Sequence, residues 1–276
     1  MTLQLDDIFD KHRLSSFVAC VPLLFYFPLG LFIATFRFFI GIQAFLLSII
    51  FMKFPSLRCF LLRIMCSILG FIVFTESSMN HVKNTKIVIS NHVTNFDHLA
   101  INIIMHTIVP SVWDLPEYLT WLLGYTDFGA SQGRQVLVQN VRDFLKKSEV
   151  PVLIFPEGAT TNGKKGLLKF NTWPFLLDQA VQPIALRISR PQLFQVAPSV
   201  LGSRWWSDMF WFLFLPYTIF TVKYLPKQEK GEDSSDDFCK RVQNIIAREL
   251  GLQMTKYTSS DKVEYAKNVL QNSLRR

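Results

Sequence analysis

The chain has 276 residues, half of them hydrophobic, and carries 29 basic against 21 acidic side chains for a formal charge of +8. A basic chain with a mean hydropathy of +0.24 is expected to meet either nucleic acid or the anionic face of a membrane, and the apolar excess favours the membrane. No zinc-finger spacing, RNA-binding signature or basic zipper is present, so no nucleic acid partner is expected; Cys20, Cys59, Cys66 and Cys239 form no C-x-x-C pair and read as reduced thiols rather than a disulfide framework.

From Leu14 to Met52 the one formally charged residue is Arg37. Leu14 to Phe36 is long enough to cross a hydrocarbon core of about 30 Å, whereas Phe38 to Met52 is short for a span. A signal peptide fits poorly, because the apolar run is too long and no small-residue cleavage site follows. Lys11 and Arg13 stand before the run and Lys53, Arg58 and Arg63 after it, which favours both flanks on the cytosolic side. The expectation is a hairpin dipping into the membrane, bent at Pro28-Leu29-Gly30. Two full spans, with Arg37 finding a polar neighbour, and a buried core hairpin are the alternatives. The chain then divides into a cytosolic N-terminus (1–13), the hairpin (14–52), an α/β domain (53–252) and a helical tail (253–276).

After residue 80 the pattern alternates. "KIVIS" (86–90), "QVLVQ" (135–139), "PVLIF" (151–155), "PIALRI" (183–188) and "YTIFTVKY" (217–224) read as strands by length and β-branched content. Helices are expected after His92, through "VRDFLKKS" (141–148) and over "WWSDMFWFLFL" (205–215), which Pro216 ends. That last helix suits either the core or a membrane-contacting belt. "SSDDFCKRVQNIIARELG" predicts a helix capped by Ser235 and stopped by Gly251, and the tail predicts another, more polar one. The fold class is α/β, a mostly parallel or mixed central sheet flanked by helices and preceded by the membrane hairpin.

Chemistry is concentrated in two places. In "SNHVTNFDH" (90–98), His92 and Asp97 are about 140° apart on a helix. They can meet only if His92 lies in the turn before a helix and Asp97 in its first coil. "LIFPEGATTNG" (153–163) follows another strand; Gly158 and Gly163 permit close backbone approach, and Lys164 and Lys165 could meet a phosphate. Both stretches fall at C-terminal strand ends, the edge where α/β sheets bind ligands. Taken singly, His92 suits a structural histidine and Glu157 a turn residue; their joint placement favours a site. His92, Asp97 and His98 lack a further cluster to complete a metal site, so no metal is expected. The G-x-S-x-G elbow, the Walker run and G-x-G-x-x-G are all absent.

"NHVTNFD" and "FPEG" resemble the H-x4-D and Pro-Glu-Gly blocks of the glycerolipid acyltransferase superfamily, and "EGATTNG" is similar to its lysophosphatidylcholine acyltransferase branch. "IFDKHRL" (8–14), "EGATTNGKKGLLKF" (157–170) and "WPF" (173–175) look most like the ancient ubiquitous protein family, over nearly the whole chain. The resemblance implies acyl transfer from acyl-CoA, a co-substrate with no further cofactor, to a lysophospholipid or related glycerolipid. His92 would be the general base, oriented by Asp97. Glu157, Gly158, Thr160 and Thr161 would hold the acceptor head group, with Arg134 from "FGASQGRQ" (128–135) matching a second acceptor block. Where the superfamily has Thr-Arg after Pro-Glu-Gly, this chain has Ala159-Thr160-Thr161, which leaves Lys164, Lys165 or Arg134 as the phosphate's cation. The family also implies an alternative: a non-catalytic scaffold of endoplasmic reticulum and lipid-droplet surfaces, facing the cytosol and tied to degradation of misfolded proteins. The recruiting parts of that pathway lie in a C-terminal CUE region that is not expected up to Arg276, so a ubiquitin-conjugating partner is not expected either.

Overall fold

The computed structural model describes residues 3–15, 20–50, 55–111 and 124–274. The expected flank Lys53, parts of the 14–52 segment (16–19 and 51–52) and the terminal Arg275 and Arg276 lie outside them.

A single helical turn, α1 (Leu5–Ile8), precedes the long apolar helix α2 (Cys20–Ile50) and a shorter one, α3 (Pro55–Ile68). The expected bend at Pro28-Leu29-Gly30 is not there: Pro28 lies inside the continuous α2. The reason is packing. A Cβ at Gly30 would stand 2.6 Å from the Phe214 ring, so Gly30 lets a neighbouring aromatic approach rather than breaking the helix. Tyr26 donates to the Phe214 carbonyl at 2.9 Å, and Leu23 and Ala34 are buried with Phe194 and Leu213. The return arm is α3, beyond the 14–52 boundary; its last carbonyl, Ile68 O, accepts from Arg37 Nε at 2.9 Å, and the link at 51–54 is outside the described residues.

Arg37, the lone charge of the apolar run, has the polar neighbours it needs. Besides Ile68 O it donates to the carbonyls of Leu213, Leu215 and Pro216 at 3.0, 2.5 and 2.6 Å. One guanidinium thus serves the C-terminal ends of two helices, where carbonyls lack partners and the dipole favours a cation.

The remainder runs β1 (Phe71–Glu76), β2 (Ile87–Ser90), α4 (Asp97–Ile104), β3 (Val109–Pro110), β4 (Tyr125–Thr126), α5 (Arg134–Lys147), β5 (Val152–Ile154), β6 (Gly166–Leu167) and β7 (Val181–Ser189). Then come α6 (Trp205–Phe214), β8 (Thr218–Tyr224), α7 (Ser235–Leu250), β9 (Gln253–Met254) and α8 (Ser259–Leu274). The central sheet has the order β1-β8-β7-β2-β5 and is mixed. β7, β2 and β5 are parallel, β8 runs against β7, and β1 runs with β8 at the edge. Side chains alternate between two cores, as a pleat requires. Ile87, Ile89, Val152 and Ile154 face α5 and α7, whereas Val88, Leu153 and Leu186 face α4 and Phe212 of α6.

Three local expectations change. "QVLVQ" is not a strand but the start of α5, because Leu137, Val138, Val141 and Leu145 recur at helical spacing and all are buried. β1 was not anticipated from the sequence. The cap of α7 is Ser234, whose hydroxyl accepts from Asp237 N, one residue before the expected Ser235. The α6 helix, expected either in the core or at a membrane belt, buries Phe212 and Phe214 and exposes Trp205 and Trp206.

Candidate active site

β2 and β5 are adjacent and parallel, so the loops after them lie side by side at the same sheet edge. The first loop is fixed by Asn91, whose side chain acts as an extra rung on β7, donating to Leu186 O at 3.0 Å and accepting from Leu186 N at 2.8 Å. His92 follows in the turn and Asp97 opens α4, as the spacing requires. His92 Nδ1 and Asp97 Oδ2 are 3.0 Å apart. A carboxylate only accepts, so Nδ1 is the donor to Asp97, and in the neutral ring that arrangement leaves the lone pair of a general base on Nε2. Asp97 is fully buried and held from behind. It accepts from Val93 N at 2.6 Å, from Thr94 N at 3.0 Å and from the Thr94 hydroxyl at 2.6 Å.

The His92 ring stacks on Phe155 with centroids 4.3 Å apart and lines a cavity of about 190 Å³ with His98, Tyr125, Leu137, Phe155 and Trp173. His98 is buried beside the Tyr125 hydroxyl, 3.2 Å from its Nδ1. Burial first, then the neighbouring His92, pushes its imidazole down to about 3, so it is neutral. Burial likewise raises the Tyr125 phenol, which stays protonated.

The second loop is different in kind. Both Glu157 oxygens are taken by backbone: His92 N donates to Oε1 at 2.7 Å and Leu168 N to Oε2 at 2.9 Å. Glu157 therefore ties the histidine turn to the residue that follows β6, with Gly158 supplying the positive φ of 65° that the turn needs. Burial pushes its carboxyl up to about 8 against the pull of those two N–H groups; Asp97 adds to the rise and Lys262 opposes it. Thr161 N donates to His92 O at 2.9 Å, and the Thr160 hydroxyl lies 3.0 Å from that of Ser199. Lys262 of α8 reaches in to donate to both the carbonyl and the hydroxyl of Thr160 at 2.7 Å. Burial pushes this ammonium down to about 8.

The structure thus gathers His92, Asp97, Glu157, Gly158, Thr160 and Thr161 at one sheet edge. It sends the three expected phosphate cations elsewhere. Lys164 binds Asp10 at 2.8 Å and Lys165 binds Asp7 at 2.6 Å, both on the N-terminal segment. That segment is further locked by Asn162 N donating to Ile8 O at 2.8 Å. Arg134 donates to the Thr172 hydroxyl in a separate groove and shares none of the His92 cavity. Sequence reasoning missed Asn91 and Thr94, though both stand in the stretch that pointed to the site. It missed Lys262 for want of any local signal.

The fold that holds His92 and Asp97 beside the Glu157 turn is shared with an acyltransferase of known structure. The crystal structure of the 1-acyl-sn-glycerophosphate acyltransferase PlsC from Thermotoga maritima superposes with a TM-score of 0.56 at 17% identity, covering 80% of this chain and 96% of that one. Mouse glycerol-3-phosphate acyltransferase 4 is 32% identical over 126 residues, 42% of this chain and 25% of its own. No family model matches. The chain belongs to the AUP1 family. It is 41% identical over 268 residues to the lipid droplet-regulating VLDL assembly factor AUP1 homolog of Caenorhabditis elegans, covering 97% of this chain and 68% of that protein. It is 36% identical to human lipid droplet-regulating VLDL assembly factor AUP1 over 266 residues, covering 94% and 63%. The chain thus spans about two thirds of the length of these relatives.

Proposed function

We propose that this chain works on a lipid surface, that of lipid droplets and the endoplasmic reticulum, as a droplet-regulating protein that uses the acyltransferase fold mainly as a scaffold. The carrying observation is the outward face of α2. Leu24, Phe25, Phe32, Phe36 and Phe39 are each more than half exposed, Phe25 at 84%, while the opposite face packs on the domain. Phe60 and Ile64 of α3, Phe74 of the edge strand and Trp205 and Trp206 add further exposed apolar surface. So much apolar exposure marks a lipid-facing surface rather than a solvated one.

Length supports insertion from one side. Arg37 is fastened to the domain, so the lipid-facing Leu24, Phe25, Phe32 and Phe36 that precede it lie along the domain, and the described α2 runs 13 residues, about 20 Å, beyond it. A face lying along the domain with an arm of that length suits entry into a single leaflet, and a droplet has one leaflet to enter. Basic residues at both flanks favour the cytosolic side. The test is flotation with artificial droplets, comparing the chain with a Phe25→Gln, Phe32→Gln, Phe36→Gln, Phe39→Gln variant. The variant should keep its fold and stay in the aqueous fraction; equal flotation would overturn the proposal.

A second reading is acyl transfer from acyl-CoA to a lysophospholipid. The intact His92–Asp97 contact and the adjoining cavity favour it. Against it stands the second loop, whose polar groups are engaged by the chain itself.

A further inference from the structure

A second polar centre lies apart from the His92 cavity. A groove of about 480 Å³ is lined by Asp10, His12, Ser15, Lys164, Arg190 and Gln192, none of which lines the cavity of His92. Arg190 Nη1 donates to Ala197 O at 2.8 Å, and Arg13 Nη1 donates to the same carbonyl at 2.9 Å. Two guanidinium groups thus meet on one oxygen. The buried carboxylate beside them, Asp208, pairs with Arg13 and also accepts from Asn95 Nδ2 at 2.9 Å and from the Ser203 hydroxyl at 2.9 Å. None of those bonds comes from Arg190, whose Nε meets the Thr218 hydroxyl at 3.4 Å. Arg190 Nη2 is buried and has no acceptor among the described residues. Asp10 is committed to Lys164. Three cations, Arg13, Lys164 and Arg190, therefore share two acids, and one guanidinium nitrogen, Arg190 Nη2, is unanswered among the described residues. A buried unsatisfied donor in a folded protein calls for a missing partner, and a guanidinium is shaped for phosphate. Burial, then the charge of Arg13, pushes Arg190 down to about 9, while the Asp208 carboxylate pulls the other way.

The groove's position says where that anion comes from. Leu14 pairs with Val196 just before the chain enters α2. Phe194, in the same loop, lies tilted against Tyr26 of α2 with centroids 4.7 Å apart, and Leu193 is exposed. Arg190 itself lies over the Phe212 ring of α6, the helix that exposes Trp205 and Trp206. Interfacial tryptophans mark the depth of lipid head groups. We propose that this groove binds the phosphate of a membrane-lipid head group, with Arg190 as the principal ligand and Arg13 and Lys164 supplying the surrounding positive field. The inference rests on the lipid-surface reading above and goes beyond it by naming a head-group site.

The test uses the full chain in non-ionic detergent, titrated calorimetrically with dihexanoyl phosphatidic acid, glycerol phosphate and inorganic phosphate. The short-chain lipid should bind at least tenfold more tightly than inorganic phosphate. Arg190→Gln should weaken that binding tenfold or more. Because Arg190 also braces its loop, Gln192→Glu serves as a second variant; it puts a carboxylate in the groove without touching the buried network, and should weaken binding comparably at an unchanged melting temperature. Equal affinity for inorganic phosphate would overturn the lipid assignment. Absence of binding, or binding indifferent to both variants, would overturn the site. Flotation depends on the outward face of α2, so a chain that floats but binds no head group loses this inference alone.

Discussion

Two neighbouring loops at one sheet edge have been treated differently. The loop after β2 presents His92 to a cavity, with Asp97 fixing its tautomer from behind. The loop after β5 presents almost nothing: Glu157 is bonded by two backbone N–H groups, Thr160 by Ser199 and Lys262, Lys164 by Asp10 and Lys165 by Asp7. The first loop leaves its histidine facing a cavity, whereas the second is joined to the N-terminal segment and the tail helix. A motif can therefore persist because it holds the fold together, and the test of its role is whether its polar atoms are free.

The largest effect should come from Asp97→Ala. That change strips the acceptor from Val93 N, Thr94 N and the Thr94 hydroxyl in a fully buried place, and should cost about 3–5 kcal/mol by denaturant unfolding. A loss below about 1 kcal/mol would mean the loop is not organised by this carboxylate.

Glu157→Gln sharpens the contrast through pH. The folded carboxyl is pushed up to about 8 from 4.5, so between these values the folded chain keeps a proton that the unfolded chain has released. The group's contribution is full below its unfolded value and is lost as pH rises through about 8. The stability advantage of the wild type over Glu157→Gln should therefore shrink steadily from about pH 5 to about pH 8. A difference that stays flat, or grows, would contradict the burial-driven shift.

Smaller effects are expected at the open end of the comparison. His92→Ala leaves Asp97 with its backbone donors and should cost only about 1 kcal/mol in stability. Lys164→Gln and Lys165→Gln break pairs whose lysines are more than half exposed, and each should change stability by less than about 1 kcal/mol. If the Lys165 change reduced lysolipid binding tenfold, the second loop would be a ligand site after all.

The strand-turn-helix around His92 was legible because a five-residue spacing and helix geometry leave one solution. The β5 strand and its Pro-Glu-Gly turn were legible for similar local reasons. What was not legible was non-local. Lys165 finds Asp7 and Lys164 finds Asp10 from the far end of the chain, and Lys262 enters from a tail helix with no motif. "QVLVQ" misled because its β-branched content competes with a helical stripe that is visible only when Val141 and Leu145 are included. β1 escaped notice because its outward residues Ile72 and Phe74 are also apolar, erasing the polar alternation of a half-solvated strand. Pro28 and Gly30 looked like a bend, because the Phe214 ring that fills the glycine's groove lies more than 180 residues on.

The most direct test of the division between an open first loop and an occupied second one is acyl transfer itself. The chain, placed in nanodiscs, would be given labelled acyl-CoA and a panel of lysophospholipids beside His92→Ala. If the second loop is occupied by the chain's own residues, both proteins should form product only at the background rate. Turnover by the wild type that falls about 10²–10⁴-fold in His92→Ala would contradict that account and establish the loop as a working acceptor site.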